Sequence, residues 1–411
     1  MKQRGLILAL FLVFAFAHSA AAQTTLDRTA DLLFKIAVYG PSDDIFIWWG
    51  HTALLVKNTR WGFTRAFDWG LFSYPSDNFL LDFIKGRVTY RSGVGLLFES
   101  DFIEEDRDMV FFTLNLDAAG REAVLNFAEE MTLPENRYYD YHEFLDNCAT
   151  RIRDIINLGT GGQFKEHFSN TPGRFTYRQH VRRFTSLRPL ADLGFDFIMG
   201  LDLDRPISAW EEMFLPVEIG RNISDFSFID SYGNERALVK SVEIRNASLN
   251  RQPVLNKPLT VWPLHLVFGL ILAFALLFVK KMRVKFPLAG RIVWGVSQSI
   301  LGLILGIAGC ALFFMLFILH NSFTEQNINI LFINPLLLAA LPLGILAAIG
   351  KVRCLQPERA LRILWAYVFI AGFFTIIAGL IPAFNQQNQS TLALILPAAL
   401  VLAQPEKFLR R

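Results

Sequence analysis

Three cysteines occur in the chain, and only Cys148 lies outside the apolar C-terminal stretch that holds Cys310 and Cys354. The N-terminus predicts that Cys148 is exported. Basic Met1-Lys2-Gln3-Arg4 leads into an uncharged apolar run from Gly5 to Ala17, then Ala20-Ala21-Ala22 before Gln23. That is the layout of a secretory signal peptide, 1–22, cleaved after Ala22, and no cysteine follows to receive a lipid. An exported thiol with no thiol partner on its side of the membrane has a reason other than a disulfide. Its setting, Asp146-Asn147-Cys148-Ala149-Thr150-Arg151, places it where a helix begins, with Asp146 or Asn147 as the cap. The positive end of the helix dipole favours a thiolate there, and Arg151, one turn on, adds positive charge. Backbone N–H groups of such a first turn can face an oxyanion formed beside the sulfur. These are the needs of a nucleophilic cysteine; the bland alternative is a small buried helix residue.

A nucleophile needs a base, and the exported part offers His51, His142, His167 and His180. His51 falls in a strand-like run behind Trp48-Trp49-Gly50, where an imidazole without a task would be out of place. His142 is close to Cys148 in sequence and can simply pack over the loop, while His167 and His180 sit among polar residues and read as solvated. A third group should orient the imidazole. Asp68 is close if the run 45–57 pairs with 63–69 as a hairpin through the turn Asn58-Thr59-Arg60-Trp61-Gly62. Tyr141, Asn147 or a backbone carbonyl could serve instead. No His/Cys/carboxylate cluster has metal-ligand spacing, so no metal and no cofactor are expected.

The elements that must position these groups form an α+β part. The hairpin puts Thr52, Leu54 and Val56 on one face and His51, Ala53 and Leu55 on the other. Residues 27–39 carry Leu32, Leu33 and Ile36 at helical spacing and predict a helix. Residues 110–116 predict a strand, and 117–131 a helix with Leu125, Ala128 and Glu129 on one side. Residues 148–158 predict a helix stopped by Gly159 and the pair Gly161-Gly162. A hairpin broken at Tyr232-Gly233-Asn234 spans 226–244, and 246–260, with Pro253 and Pro258, reads as a linker.

From 261 onward the texture changes. Apolar runs near 261–279, 292–319, 331–350 and 363–384 are long enough for a core that needs about 20 residues, and 391–403 is a short fifth. Of 40 Lys+Arg and 37 Asp+Glu in the whole chain, 12 and 3 fall in 261–411, and the exported segment 23–260 is net acidic. A nucleic-acid binder is therefore not expected, and with 14% aromatic residues neither is a disordered chain. Lys280, Lys281, Arg283, Lys285 and Arg291 follow the first run, Lys351, Arg353, Arg359 and Arg362 the third, and Lys407, Arg410 and Arg411 the last. Loops 320–330 and 385–390 have no Lys or Arg. The positive-inside rule then makes the basic loops and the C-terminus cytoplasmic and 23–260 external. The spans hold almost no ionisable group, His265 at the start of the first being the exception, so they suit an anchor or a lipid-handling platform better than an ion pathway.

The segments WWGHTALLV (48–56) and YYDYHEFLDNCATRIRDII (138–156), with FDWGLF (67–72) and FIKGRVTY (83–90), resemble the Lnb-type bacterial lipoprotein N-acyltransferases. The resemblance covers about 27–190 by motif and the rest by topology. It implies an exported α+β domain over 23–260, similar to a permuted papain-like (NlpC/P60-like) fold, and a multi-span bundle of about five transmembrane helices over 261–411, in the bacterial inner membrane with the catalytic domain periplasmic. It further implies Cys148 as nucleophile and His51 as base, moving an acyl chain from a membrane phospholipid through a thioester to the N-terminal amine of a diacylglyceryl-cysteine lipoprotein. Arg174, Arg178, Arg182, Arg183 and Arg188 would then meet headgroups or form a solvated helix face. Trp48, Trp49, Trp61 and Trp69 would border an acyl groove or pack in the core. A membrane-tethered cysteine peptidase or amidase acting on cell-wall peptides uses the same Cys/His pair, but needs one anchor or none. A non-catalytic assembly protein would have no use for both His51 and Cys148.

Overall fold

The computed structural model describes residues 27–44, 47–72, 89–97, 99–319, 323–350 and 356–405. The signal peptide, most of the FIKGRVTY block, Cys354 and the basic C-terminal tail lie outside the described residues.

Seven strands form one antiparallel sheet. They are β1 (Leu32–Tyr39), β2 (His51–Asn58), β3 (Thr64–Phe72), β4 (Thr89–Leu96), β5 (Met109–Leu114), β6 (Tyr138–Asp140) and β9 (Val239–Asn246), in the order β6-β4-β3-β2-β1-β5-β9. A small separate hairpin joins β7 (Ser227–Ile229) to β8 (Glu235–Ala237). The expected hairpin at 226–244 is thus only its tip, because Val239 onward leaves it to pair with β5 at the sheet edge.

The expected helix over 27–39 is a correction: Leu32–Tyr39 is a strand between β2 and β5. Leu32, Leu33 and Ile36 fit a helical period, but the segment is covered on both faces, so a near-continuous apolar run is what its place in the sheet demands. Phe34 and Ile36 join the main core with Leu54, Val56, Phe67 and Trp69. Ala37 and Tyr39 join Ala53, Leu55, Met109 and Phe111 on the opposite face. The two-faced alternation read for β2 is the one observed.

Around the sheet lie α1 (Glu99–Glu104), α2 (Ala118–Met131), α3 (Cys148–Gly159), α4 (Gln163–Ser169), α5 (Tyr177–Thr185), α6 (Pro189–Ile198), α7 (Ala209–Glu212) and α8 (Pro216–Ser224). Helix α3 buries Ala149, Ile152, Ile155 and Ile156 against the main core, each isoleucine contributing about 1.5–3 kcal/mol.

The C-terminal region is helical: α9 (Trp262–Lys285), α10 (Pro287–Phe314, continued by a π turn to Leu319), α11 (Ala340–Ile349), α12 (Pro357–Ala378) and α13 (Gln389–Ala403). Four segments, 262–285, 287–319, 328–349 and 357–378, are long and apolar enough to cross a membrane. The expected fifth span falls short: α13 has 15 residues with Pro397 inside it, and it packs in the bundle core through Leu392, Ile395 and Ala399. Helices α10 and α11 approach closely because Gly295 and Gly344 face each other, where a Cβ on either would meet backbone.

The two regions are joined by polar contacts. Asn327 and Asn329 donate through Nδ2 to the Phe197 carbonyl at 2.8 and 2.9 Å, and Gln386 Nε2 donates to Met199 O at 3.1 Å. The backbone N–H of Gly200 donates to Phe323 O at 2.9 Å, and the Phe144 and Phe323 rings stack at 5.5 Å. The described parts of the loops without Lys or Arg, 323–330 and 385–390, therefore lie at the α+β end of the bundle, with Lys280, Arg283, Glu358 and Arg362 around a cavity at the other.

Candidate active site

Strand pairing assembles the site. Ala53 is the cross-strand partner of Asp68, so His51, two residues before Ala53, shares its face with Asp68. His51 Nε2 lies 3.0 and 2.9 Å from the two carboxylate oxygens of Asp68. Cys148 is the other titratable neighbour acting on the imidazole. With Nε2 on the acid, Nδ1 is the nitrogen left for the sulfur. The ladder between β3 and β4 slips between Trp69 and Leu71, and Gly70 sits at that irregularity. A Cβ on Gly70 would lie 2.9 Å from His51 Cε1 and 3.5 Å from Cys148 Cβ. Gly70 is therefore the floor on which imidazole and thiol meet. Its motif was quoted from the sequence, but its role is visible only once β3 lies against β2.

The helix start is as expected, with the roles of its residues divided. Asn147, not Asp146, is the cap. Its Oδ1 accepts from the backbone N–H groups of Ala149 and Thr150, both at 2.9 Å, worth about 1 kcal/mol. Its Nδ2 donates to Glu143 O and Phe214 O at 2.7 and 3.1 Å, fixing the segment that leads into the helix. Those two N–H groups are thus engaged by the cap and do not form the oxyanion donors expected of the first turn. Asp146 pairs with Arg151, with Nε–Oδ1 2.5 Å and Nη2–Oδ2 2.7 Å, and the Arg151 guanidinium lies over Tyr139 at 4.8 Å. Arg151 is neutralised in this way and is no direct partner of the sulfur.

Electrostatics separate the pair from ordinary groups. Burial works against charge on His51, but the Asp68 carboxylate and then Cys148 outweigh it and raise the imidazole well above its usual range. Burial also pushes the Cys148 thiol up. The adjacent His51 charge and the backbone N–H of Thr52 overcome this and hold the thiol below its ordinary value. The arrangement favours a thiolate–imidazolium pair. Three tyrosines line the surroundings. Tyr39 stacks on His51 at 6.1 Å, Tyr141 stacks on Tyr90 at 4.2 Å, and the buried Tyr139 hydroxyl has no hydrogen-bond partner among the described residues. Burial and then Cys148 raise both Tyr139 and Tyr141, so both hydroxyls keep their protons. The YYDY string held Tyr139 and Tyr141 in view, but nothing in the sequence aimed a hydroxyl.

The other histidines do not join the site. His142 Nδ1 accepts from the backbone N–H groups of Phe144 and Leu145 at 3.2 Å, holding the loop before Cys148. His180 is a correction: expected in solvent, it is fully buried, with Nε2 2.8 Å from Glu212 and Nδ1 accepting from Arg183 Nη1 at 3.0 Å. Four of the five arginines are corrected with it. Arg174 and Arg183 bind Glu218, Arg178 binds Asp204, and Arg182 binds Asp196, so they neither face lipid nor form a solvated helix face. Their carboxylate partners are 14–44 residues away in sequence, too far for spacing to predict. Trp69 is core and Trp49 packs on Phe184 and Phe195. Trp61 is 73% exposed and Trp48 stacks under Arg188. Among the described residues no group of three or more His, Cys, Asp or Glu could hold a metal ion.

Fold and site together define an α+β domain carrying a thiol–imidazole–carboxylate cluster and docked on a bundle of membrane-spanning helices. The family model described as the Lnb N-terminal periplasmic domain matches residues 28–183. The chain carries an Lnb N-terminal periplasmic domain over that stretch, which contains His51, Asp68 and Cys148 and supports an Lnb-type assignment. It is a membrane protein with an exported N-terminal domain. No curated protein and no solved structure matches the chain.

Proposed function

We propose that the protein is a thiol acyltransferase of the bacterial inner membrane, its α+β domain (23–260) on the periplasmic side and the basic loops and C-terminus of 261–411 in the cytoplasm. The observation that carries this reading is the clustering of Asp68, His51 and Cys148, with His51 Nε2 on the carboxylate and Cys148 beside the imidazole at the start of a capped helix. The Cys148 thiolate attacks the ester carbonyl of a membrane phospholipid. The ester C–O bond breaks, the imidazolium of His51 gives its proton to the departing lysophospholipid oxygen, and a Cys148 thioester remains. The N-terminal amine of a diacylglyceryl-cysteine lipoprotein then attacks the thioester. His51 takes the amine proton, an amide forms and the thiolate returns. Asp68 orients the imidazole and offsets its charge. Cys148 N–H and the unpartnered Tyr139 hydroxyl are the donors we assign to the oxyanion, since Ala149 and Thr150 are engaged by Asn147. The resemblance to a papain-like fold is consistent with a strand His preceding a helix Cys.

A site docked on four membrane spans suits two lipid-borne substrates, and this favours acyl transfer over cell-wall hydrolysis. The test is the mass of a lipoprotein's N-terminal peptide from cells lacking their own N-acyltransferase. An added amide-linked acyl chain is expected with the wild type and not with Cys148→Ala. No added chain with either, at equal membrane levels, rejects the transferase and points to hydrolysis of cell-wall peptides.

A further inference from the structure

Of the arginines between 174 and 188, Arg188 alone has no carboxylate bound to it among the described residues. It is exposed, and its guanidinium lies over the Trp48 ring at 4.3 Å from the centroid. Beside it opens a cavity of about 390 Å³, lined by Trp48, Arg183, Arg188, Arg251 and Asp43 among others. Asp43 is already held by Arg251 at 2.9 and 3.0 Å, and Arg183 by Glu218. The lining therefore keeps an excess of positive charge, and the guanidinium free to meet an anion is held flat by an indole.

Two observations set the level of this cavity. The carbonyl of Pro189, the residue after Arg188, lies 3.2 Å from His265 Nε2 in the first turn of the first span. Leu187 in its lining, Leu190 two residues past Arg188 and Trp262 at the start of the span are exposed, Leu190 by 86%. A cation beside exposed apolar side chains and a tryptophan, where a helix enters hydrocarbon, matches the composition of a membrane interface. Through Trp48 the cavity is linked along the chain to the chemistry. Trp48 belongs to the connection between β1 and β2 and is three residues before His51, at the end of the sheet where Gly70 and Cys148 meet.

We infer that the Arg188–Trp48 cavity binds the phosphate of a glycerophospholipid headgroup. Identifying that lipid as the acyl donor rests on the function proposed above, whereas the binding itself does not. A guanidinium fork matches two phosphate oxygens, and stacking on Trp48 fixes its plane in advance. In such a lipid the ester carbonyls are separated from the phosphate by the glycerol carbons alone, so a phosphate held here hangs an ester toward the sheet end that carries Cys148.

The test uses the full chain in detergent with Cys148→Ala, so that no turnover occurs. Calorimetric titration compares dihexanoyl phosphatidylglycerol, dihexanoylglycerol and inorganic phosphate, with and without Arg188→Gln. Expected are saturable binding of the phospholipid, weaker binding of the other two, and at least tenfold loss for the phospholipid in Arg188→Gln, partly restored in Arg188→Lys. Equal affinity in Arg188→Gln would overturn the inference, as would inorganic phosphate binding as tightly as the phospholipid, which would mean a free-phosphate site. Loss of binding in Arg188→Gln while active Cys148 takes no acyl chain from the same lipid would leave the site standing and remove the acyl-transfer reading.

Discussion

Two histidines in the α+β domain start from the same arrangement and end differently. His51 and His180 each have Nε2 on a carboxylate, Asp68 at 2.9 Å and Glu212 at 2.8 Å. At His180 the second nitrogen receives Arg183, which also binds Glu218, and Glu218 binds Arg174. His180, Glu212, Arg183 and Glu218 are all paired within the protein, with only Arg174 Nε left over at the network's edge, and the result is a strut with no reactive group in it. At His51 the thiol residue Cys148 stands beside the ring, and a buried tyrosine hydroxyl nearby is left without a partner among the described residues. A network paired within the protein stabilises, while one ending in a nucleophile and a spare donor has room for a substrate.

The comparison breaks if the two histidines respond alike. His51→Ala and Cys148→Ala are each expected to remove acyl transfer by at least about a thousandfold, with thermal melting close to wild type. His180→Ala is expected to do the reverse. It leaves Glu212 and Arg183 buried without their partner, costing about 3 kcal/mol and lowering the melting temperature, while the Cys148 of the molecules still folded alkylates at the wild-type rate. Gly70→Ala places a methyl group 2.9 Å from His51 Cε1, and transfer should fall about 10–100-fold, the scale of a misplaced reacting group, with the fold kept.

A pH profile sharpens the same contrast. Asp68 is the main contribution raising His51, and the thiolate–imidazolium pair exists between the lowered thiol value and the raised imidazole value. Alkylation and transfer that depend on it are lost on the acid side as Cys148 is protonated, and on the alkaline side as His51 loses its proton. In Asp68→Asn the imidazole value falls, so the alkaline limb of transfer should move to lower pH. At His51 the same pair contributes stability below the unfolded imidazole value, and this is lost as pH rises through the folded one. Trp61→Ala is the control for the acyl-groove idea. With Trp61 largely in solvent, the expected change in stability is within about 0.5 kcal/mol, and unchanged transfer would remove Trp61 from any groove.

How much of this was legible depended on sequence distance. The Cys148 helix start is local, and so is the hairpin that joins His51 to Asp68 across 17 residues, and both could be read from cap and turn chemistry. The strand character of Leu32–Tyr39 could not, because an apolar run covered on both faces fits either period. The arginine network also escaped. Its partners Asp204 and Glu218 approach Arg178 and Arg174 only after α5 and α8 have packed, so a basic run looked free when four of its members were not. Gly70 and Tyr139 stood inside quoted motifs, yet a missing Cβ and an unpaired hydroxyl acquire meaning only from neighbours that the fold supplies.

In the proposed reaction Cys148, activated by His51, carries the acyl chain. The most direct measurement is the intact mass of the full-length protein after incubation with phospholipid vesicles and no lipoprotein acceptor. The account predicts an added acyl mass on wild-type protein that maps to Cys148 and is released by hydroxylamine, absent in His51→Ala. No such mass on wild-type protein, or the same mass on Cys148→Ala, would contradict it.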